Sequence, residues 1–205
     1  MTGLWIVIAV VVLLALALVA SYNRFVRQRN LVQESWRQVD VELNRRHDLI
    51  PNLVETVKGY ATQERTVLQS VTEARTAAVQ TLQAQGTGVA QQAQAENNLG
   101  RALNGLFAVA ENYPDLKSSQ NFLALQQQLA ETEDRIAAAR RFYNGNVRAL
   151  NTRVEAFPSS LVASTFGFSK ADYFEVDDPA VRAPVAVDFS SLTPTSPPQT
   201  GQSPS

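Results

Sequence analysis

A chain of 205 residues that is 45% hydrophobic can bury a sizeable core, and a formal net charge of −1 gives no basis for a nucleic-acid surface. The absence of cysteine excludes disulfides, thiolate metal sites and cysteine nucleophiles. The single histidine, His47, means that any catalytic triad or histidine-based metal site would rest on that one residue.

Leu4 to Ala20 form an unbroken apolar run. At about 1.5 Å per residue it is predicted to span roughly 26 Å, near the lower limit for crossing a bilayer. Trp5 and Tyr22 sit at its two ends, where amphipathic rings favour the headgroup boundary. The competing reading is a cleavable signal peptide, with Ala15-Leu16-Ala17 as the cleavage site. The start, Met1-Thr2-Gly3, lacks a basic n-region, so an uncleaved anchor over residues 1–21 is expected. Arg24, Arg27 and Arg29 follow as a basic collar, which predicts a short N-terminus outside and the soluble part in the cytoplasm, on the inner membrane. The same arginines suit anionic lipid headgroups.

Beyond the collar the chain reads as helical. Val32, Trp36, Val39, Leu43, Ile50, Leu53, Val57, Tyr60, Val67, Val71, Ala74 and Ala78 follow three- and four-residue steps, with gaps at Arg46 and Glu64. Pro51 admits two readings. One is a single long helix kinked there. The other, favoured here, is a break: Arg45-Arg46-His47 closes one helix, Asp48 caps the next, and Pro51 lies in its first turn. Leu99, Leu103, Leu106, Phe107 and Ala110 mark a further helix; Phe122, Leu129, Ile136, Tyr143, Leu150 and Phe157 recur every seven residues in the last. Gly86-Thr87-Gly88, Tyr113-Pro114-Asp115 and Pro158 punctuate these elements. The expected helices run over about 22–47, 49–83, 89–112 and 117–157, and short connections make neighbours antiparallel. The fold class is therefore all-α: one transmembrane helix, an up-and-down four-helix bundle within 22–176, and a disordered Pro/Ser/Thr-rich tail over 177–205. An aromatic segment over 161–174, with Phe166, Phe168, Tyr173 and Phe174, falls near the bilayer. It would touch lipid or an intramembrane partner, or fold back over the open end of the bundle; the second is the plainer reading.

Candidate chemistry is sparse. His47 and Asp48 are adjacent, and adjacent residues on a helix do not face each other, so a histidine near a helix end explains them better than a catalytic base. Glu111, Glu131, Glu133 and Asp134 lack the paired Glu-x-x-His motifs of a di-metal bundle and read as a solvated face. Lys58-Gly59-Tyr60 lacks a glycine-rich phosphate loop. Arg45, Arg46 and Asp48 are a candidate partner patch, or else pair with Glu42 and Asp115. Asn144-Gly145-Asn146, mid-helix, marks a hinge or a close helix contact.

These residues carry a resemblance. Tyr22-Asn23, Val39-Asp40-Val41, Arg45-Arg46-His47-Asp48-Leu49-Ile50-Pro51-Asn52-Leu53-Val54 and Val57-Lys58-Gly59-Tyr60 resemble the signature of the LemA family. So do Glu111-Asn112-Tyr113-Pro114-Asp115-Leu116-Lys117, Thr132-Glu133, Ala139-Arg140-Arg141, Tyr143-Asn144, Phe157-Pro158-Ser159, Phe166-Gly167-Phe168 and Tyr173-Phe174. The resemblance covers about three quarters of the chain. It implies a bacterial four-helix bundle behind one N-terminal anchor, no established catalytic activity and no cofactor. It also implies proximity to membrane metalloproteases, beside which family members are often encoded, and kinship with a magnetosome membrane protein. His47 stands where many members carry tyrosine, which argues against an essential histidine. The expected function is a non-enzymatic, membrane-anchored scaffold or adaptor working with a membrane protein or with itself. The alternative is a membrane-shaping protein that self-assembles at the bilayer.

Overall fold

The computed structural model describes residues 1–84 and 86–175; the tail expected over 177–205 lies outside the described residues. The described residues are all-helical, with no strand among them. The six helices are α1 (Thr2–Lys58), α2 (Arg65–Gln83), α3 (Val89–Ala110), α4 (Pro114–Lys117), α5 (Gln120–Glu155) and α6 (Ser159–Phe166). An extended stretch, residues 167–175, follows α6.

α1 carries two surface patterns in turn. Residues 1–20 are exposed all round, as an apolar segment without protein neighbours must be. From Phe25 onward one stripe is buried: Phe25, Val32, Val39, Leu43, Ile50, Leu53 and Val57. The 57 residues reach about 85 Å at 1.5 Å per residue.

The break expected at Pro51 does not occur: α1 passes through it and ends at Lys58. The reason is visible in the backbone. A proline at 51 supplies no N–H to the carbonyl of His47, four residues earlier. Arg75 of α2 takes that place, its Nε donating to the His47 carbonyl at 2.6 Å. The concern that a long helix would lack partners is met by α5, itself 36 residues long. The reversal into α2 falls instead at Gly59–Glu64, where the Ala61 N–H bonds the Val57 carbonyl at 2.8 Å and buried Ala61 pins the turn.

α1 and α5 meet along their length. Gln28 donates to the Asn146 carbonyl, the Trp36 and Tyr143 rings lie 5.3 Å apart, and Arg46 bonds Glu133 at 2.8 Å. α2 packs on α3 and more lightly on α1. Two apolar clusters result. The distal one, farther from the apolar end of α1, gathers Ile50, Leu53, Val57, Val71, Leu99, Leu106 and Phe122. The proximal one gathers Phe25, Val39, Leu43, Ile136, Tyr143, Val147 and Phe174. Phe157, expected on the heptad stripe of the last helix, lies beyond the end of α5 and is 82% exposed.

Replacing Arg75 with Met should destabilise the full-length protein in detergent by about 1.5–3 kcal/mol, the usual size of a charge-assisted hydrogen bond. In a Pro51→Ala background, residue 51 regains an N–H for the His47 carbonyl, and the same replacement should cost much less. Urea unfolding of the four variants measures this; equal costs in both backgrounds would show that Arg75 does not sustain the helix through Pro51.

Candidate functional site

Where the two apolar clusters meet, four polar side chains are buried together: Arg46 and His47 of α1, and Gln92 and Glu96 of α3. Their positions follow from helical spacing. Gln92, Glu96, Leu99, Leu103, Leu106 and Ala110 share one stripe of α3, while Arg46 lies between Leu43 and Ile50 on the buried stripe of α1. The carboxylate of Glu96 is the hub. It accepts from Arg46 Nη2 at one oxygen. At the other it accepts from Gln92 Nε2 at 2.6 Å and lies 3.0 Å from His47 Nε2, which donates when that nitrogen carries the proton. Arg46 spans outward through Nη1 to Glu133 of α5, whose side chain is half-exposed.

Burial alone pushes the Glu96 carboxyl up. The His47 hydrogen bond and the Arg46 charge outweigh it and hold the carboxyl below the ordinary range. Burial likewise works against the Arg46 cation, and the charges of Glu96 and Glu133 prevail, so its pKa is raised. Among the described residues, three buried polar atoms at the node have no hydrogen-bond partner: Arg46 Nε, His47 Nδ1 and Gln92 Oε1.

The expected partner patch of Arg45, Arg46 and Asp48 is thus divided. Arg46 is 4% exposed and committed to Glu96 and Glu133, not to Glu42 or Asp115, while Arg45 and Asp48 remain on the surface. His47 is buried in mid-helix rather than placed at a helix end. Of the acids read as a solvated face, Glu111 pairs with Lys117 and Glu131 accepts from Gln127, but Glu133 belongs to the node. Among the described residues no three His, Cys, Asp or Glu side chains are grouped to hold a metal ion.

The aromatic segment starts at the level of the basic collar and runs up α1. Arg24 and Arg27 are exposed; Arg29 lies over the Phe168 ring at 5.7 Å. Phe168 stacks on Phe25 at 4.8 Å, and Phe166 meets Tyr22 edge-on at 5.0 Å. Phe174 is fully buried farther up, 5.4 Å from Trp36, and Tyr173 remains partly exposed. Two asparagines hold the extended stretch there. Asn151 donates to the Ala171 carbonyl and accepts from its N–H, both at 2.9 Å. Asn144 does the same for Phe174 at 3.1 and 2.9 Å, and the Tyr143 hydroxyl donates to the Asp172 carbonyl at 2.9 Å. Burial, then the Asp172 charge, pushes the Tyr143 hydroxyl up to about 12. Asn144 is therefore a clamp on a peptide rather than a hinge, and no close neighbour stands over Gly145.

α1 and α5 also line a groove between them. Val41 and Phe142, 63% and 53% exposed, flank this groove of about 670 Å³ lined also by Glu34, Arg37, Glu42 and Arg135. Glu42 Oε2 is buried beside it with no hydrogen-bond partner among the described residues.

Among the described residues, fold and node together define an all-helical protein with one N-terminal helix long and apolar enough to cross a membrane, and an ion-paired node joining its apolar clusters. The chain belongs to the LemA family, whose profile matches residues 35–189. It is similar to magnetosome protein MamQ 2 of Paramagnetospirillum magneticum, at 29% identity over 92% of this chain and 77% of that protein. MamQ of Magnetospirillum gryphiswaldense is 27% identical over 86% of this chain and 73% of its own length. Protein LemA of Metamycoplasma hominis is 24% identical over 78% of this chain and 71% of its own.

Replacing Glu96 with Leu should cost about 3 kcal/mol, because buried Arg46 keeps only the half-exposed Glu133 to offset its charge. The double variant Arg46→Met with Glu96→Leu should be more stable than Glu96→Leu alone. The pH dependence follows from the sign of the shift. A carboxyl depressed on folding contributes stability that is present above its unfolded value of about 4.3 and lost as pH falls through the folded value. Urea midpoints should therefore fall on acidification in the native protein and fall less in Glu96→Gln; parallel profiles would remove Glu96 as the cause.

Proposed function

We propose that this protein is a non-enzymatic, membrane-anchored scaffold or adaptor. α1, α2, α3 and α5 form its up-and-down antiparallel bundle in the cytoplasm, with the short N-terminus across the inner membrane. The pairings of Gln28, Trp36 and Arg46 with successively earlier residues of α5 support that topology. The single observation that carries the function is the continuity of α1 from the apolar run into the core. An uninterrupted helix transmits the orientation of the anchor to the folded part, so the Val41–Phe142 groove stands at a fixed height, about 30 Å beyond the apolar run at 1.5 Å per residue. Apolar side chains ringed by both signs of charge, with Glu42 Oε2 beside them lacking a hydrogen-bond partner among the described residues, suit a helix that brings an apolar anchor and a cation. A membrane protein, of the metalloprotease kind suggested by family resemblance, is the partner proposed. The alternative, membrane shaping by self-assembly, draws on the exposed apolar side chains at the anchor end of the molecule and on the similarity to magnetosome proteins.

Two measurements in cells test this reading. A photo-crosslinking side chain at Phe142 should trap a discrete adduct that the same probe at exposed Gln127 does not, and Val41→Glu should abolish it. Indistinguishable adducts from both positions would remove the groove as a docking surface. Because the chain has no cysteine, Ser205→Cys should react with an impermeant maleimide only after lysis; labelling of intact cells would reverse the topology.

A further inference from the structure

The end of the molecule nearest the apolar run is covered by α6, and its exposed side chains have the wrong chemistry for water. Tyr22 follows Ala20 by two residues, so its ring marks the level at which α1 leaves the apolar phase. Phe166 lies 5.0 Å from that ring and Phe168 5.6 Å. The last turn of α5 reaches the same level, with the Arg153 guanidinium 6.0 Å over Phe25. A chain continuing past Glu155 has to turn sideways here or enter the bilayer. It turns: Ser159–Phe166 forms α6, and Gly167, at φ 71 in the left-handed region, sends it back up α1.

α6 has no charged residue. It buries Ala163, while its Leu161 and Phe166 stay 60% and 47% exposed, and Phe157 just before it is exposed as well. A soluble surface scatters single apolar side chains. Here three are gathered within ten residues, at the one level where the anchor holds the chain beside lipid. Arg24 and Arg27 are exposed at the same level. Aromatic and aliphatic side chains flanked by arginine match the boundary between acyl chains and anionic headgroups.

We propose that α6 and the preceding Phe157 form a second, interfacial contact with the same bilayer that α1 crosses. Phe157, Leu161 and Phe166 enter the headgroup boundary, and Arg24 and Arg27 face lipid phosphates. The proposal rests on reading α1 as an anchor. Its consequence is mechanical: one crossing helix leaves tilt and rotation free, whereas a second contact offset from it fixes both. The occupant is lipid and not another copy of the chain, because the surface lies at the bilayer boundary itself, continuous with the apolar run.

The test uses full-length protein in vesicles of phosphatidylcholine and phosphatidylglycerol. An environment-sensitive fluorophore is attached to single cysteines at Phe157, Leu161, Val12 in the apolar run, and Leu123 at the far end of α5. Lipids brominated near the top of the acyl chain or deep within it serve as quenchers. Shallow bromines should quench the probes at Phe157 and Leu161 several-fold more than the probe at Leu123, and deep bromines should quench the probe at Val12. Quenching at Val12 with none at Phe157 and Leu161 would overturn the interfacial contact and leave the anchor standing. No quenching at Val12 would overturn both. An apolar but unquenched signal at Leu161 that varies with protein density would assign the surface to a second copy and overturn the proposal. All four positions are exposed, so folding survives the substitutions; circular dichroism of each variant checks that it does.

Discussion

A helix that is apolar on every face at one end and becomes one wall of a folded domain at the other has to change its surface without losing its backbone hydrogen bonds. In α1 the change occurs between Ala20 and Phe25: apolar residues on every face give way to one buried stripe. The harder point lies farther on, at Pro51, where the His47 carbonyl loses its helical partner. An unsatisfied buried carbonyl costs about 1–3 kcal/mol, enough to favour fraying of the helix at that point. The Arg75 guanidinium removes that cost and at the same time ties α2 to α1. The proline therefore does not interrupt α1; it creates the acceptor by which the second helix is attached.

His47 thus takes part in two unlike interactions. Its backbone carbonyl receives Arg75, and its ring meets Glu96 of α3. Bringing a carboxylate and a guanidinium out of water costs several kcal/mol per ion, and only close pairing with further hydrogen bonds offsets this. Glu96 has three such partners and Arg46 two carboxylates. The energetic gain over an apolar core is small by this reasoning, but the geometric consequence is not. Sliding α3 by one turn against α1 would place Glu96 against apolar side chains with nothing to compensate its charge. The node thereby fixes axial register at the level where the distal and proximal clusters meet, while Glu133 brings α5 to the same point.

Much of the helical pattern was legible because burial imposes a period on the sequence, and the exceptions were legible too. Arg46 interrupts the α1 stripe, and stepping back from Leu99 by three and four residues lands on Glu96 and Gln92. Two polar interruptions on two stripes are candidates for each other's partners; what sequence spacing lacks is the relative height of the helices that would pair them. Pro51 misled for a related reason. Local rules weigh the lost N–H and the capping potential of Asp48, but the compensating donor comes from Arg75, 28 residues from the carbonyl it bonds. The Asn144 and Asn151 clamps were hidden because a side-chain amide bonding backbone has no preferred sequence partner: Ala171 and Phe174 are held through their peptide groups. Among the four aromatics grouped as membrane-proximal, composition cannot separate Phe174, under Trp36, from Phe166, beside Tyr22. The direction of the chain after Gly167 separates them.

Asn144 and Asn151 are one heptad apart, about 10.5 Å along the helix at 1.5 Å per residue. Ala171 and Phe174 are three residues apart in extended chain, about 10 Å at 3.3 Å per residue. The two repeats match, so each asparagine satisfies both the donor and the acceptor of one residue without bending either element. This match explains how a stretch without secondary structure can pack on the proximal cluster beside Ala93 of α3 and Ala163 of α6. Among the described residues the groove at Val41 and Phe142 is lined by α1 and α5 alone, so the clamp and the groove are two separate uses of the same helix pair.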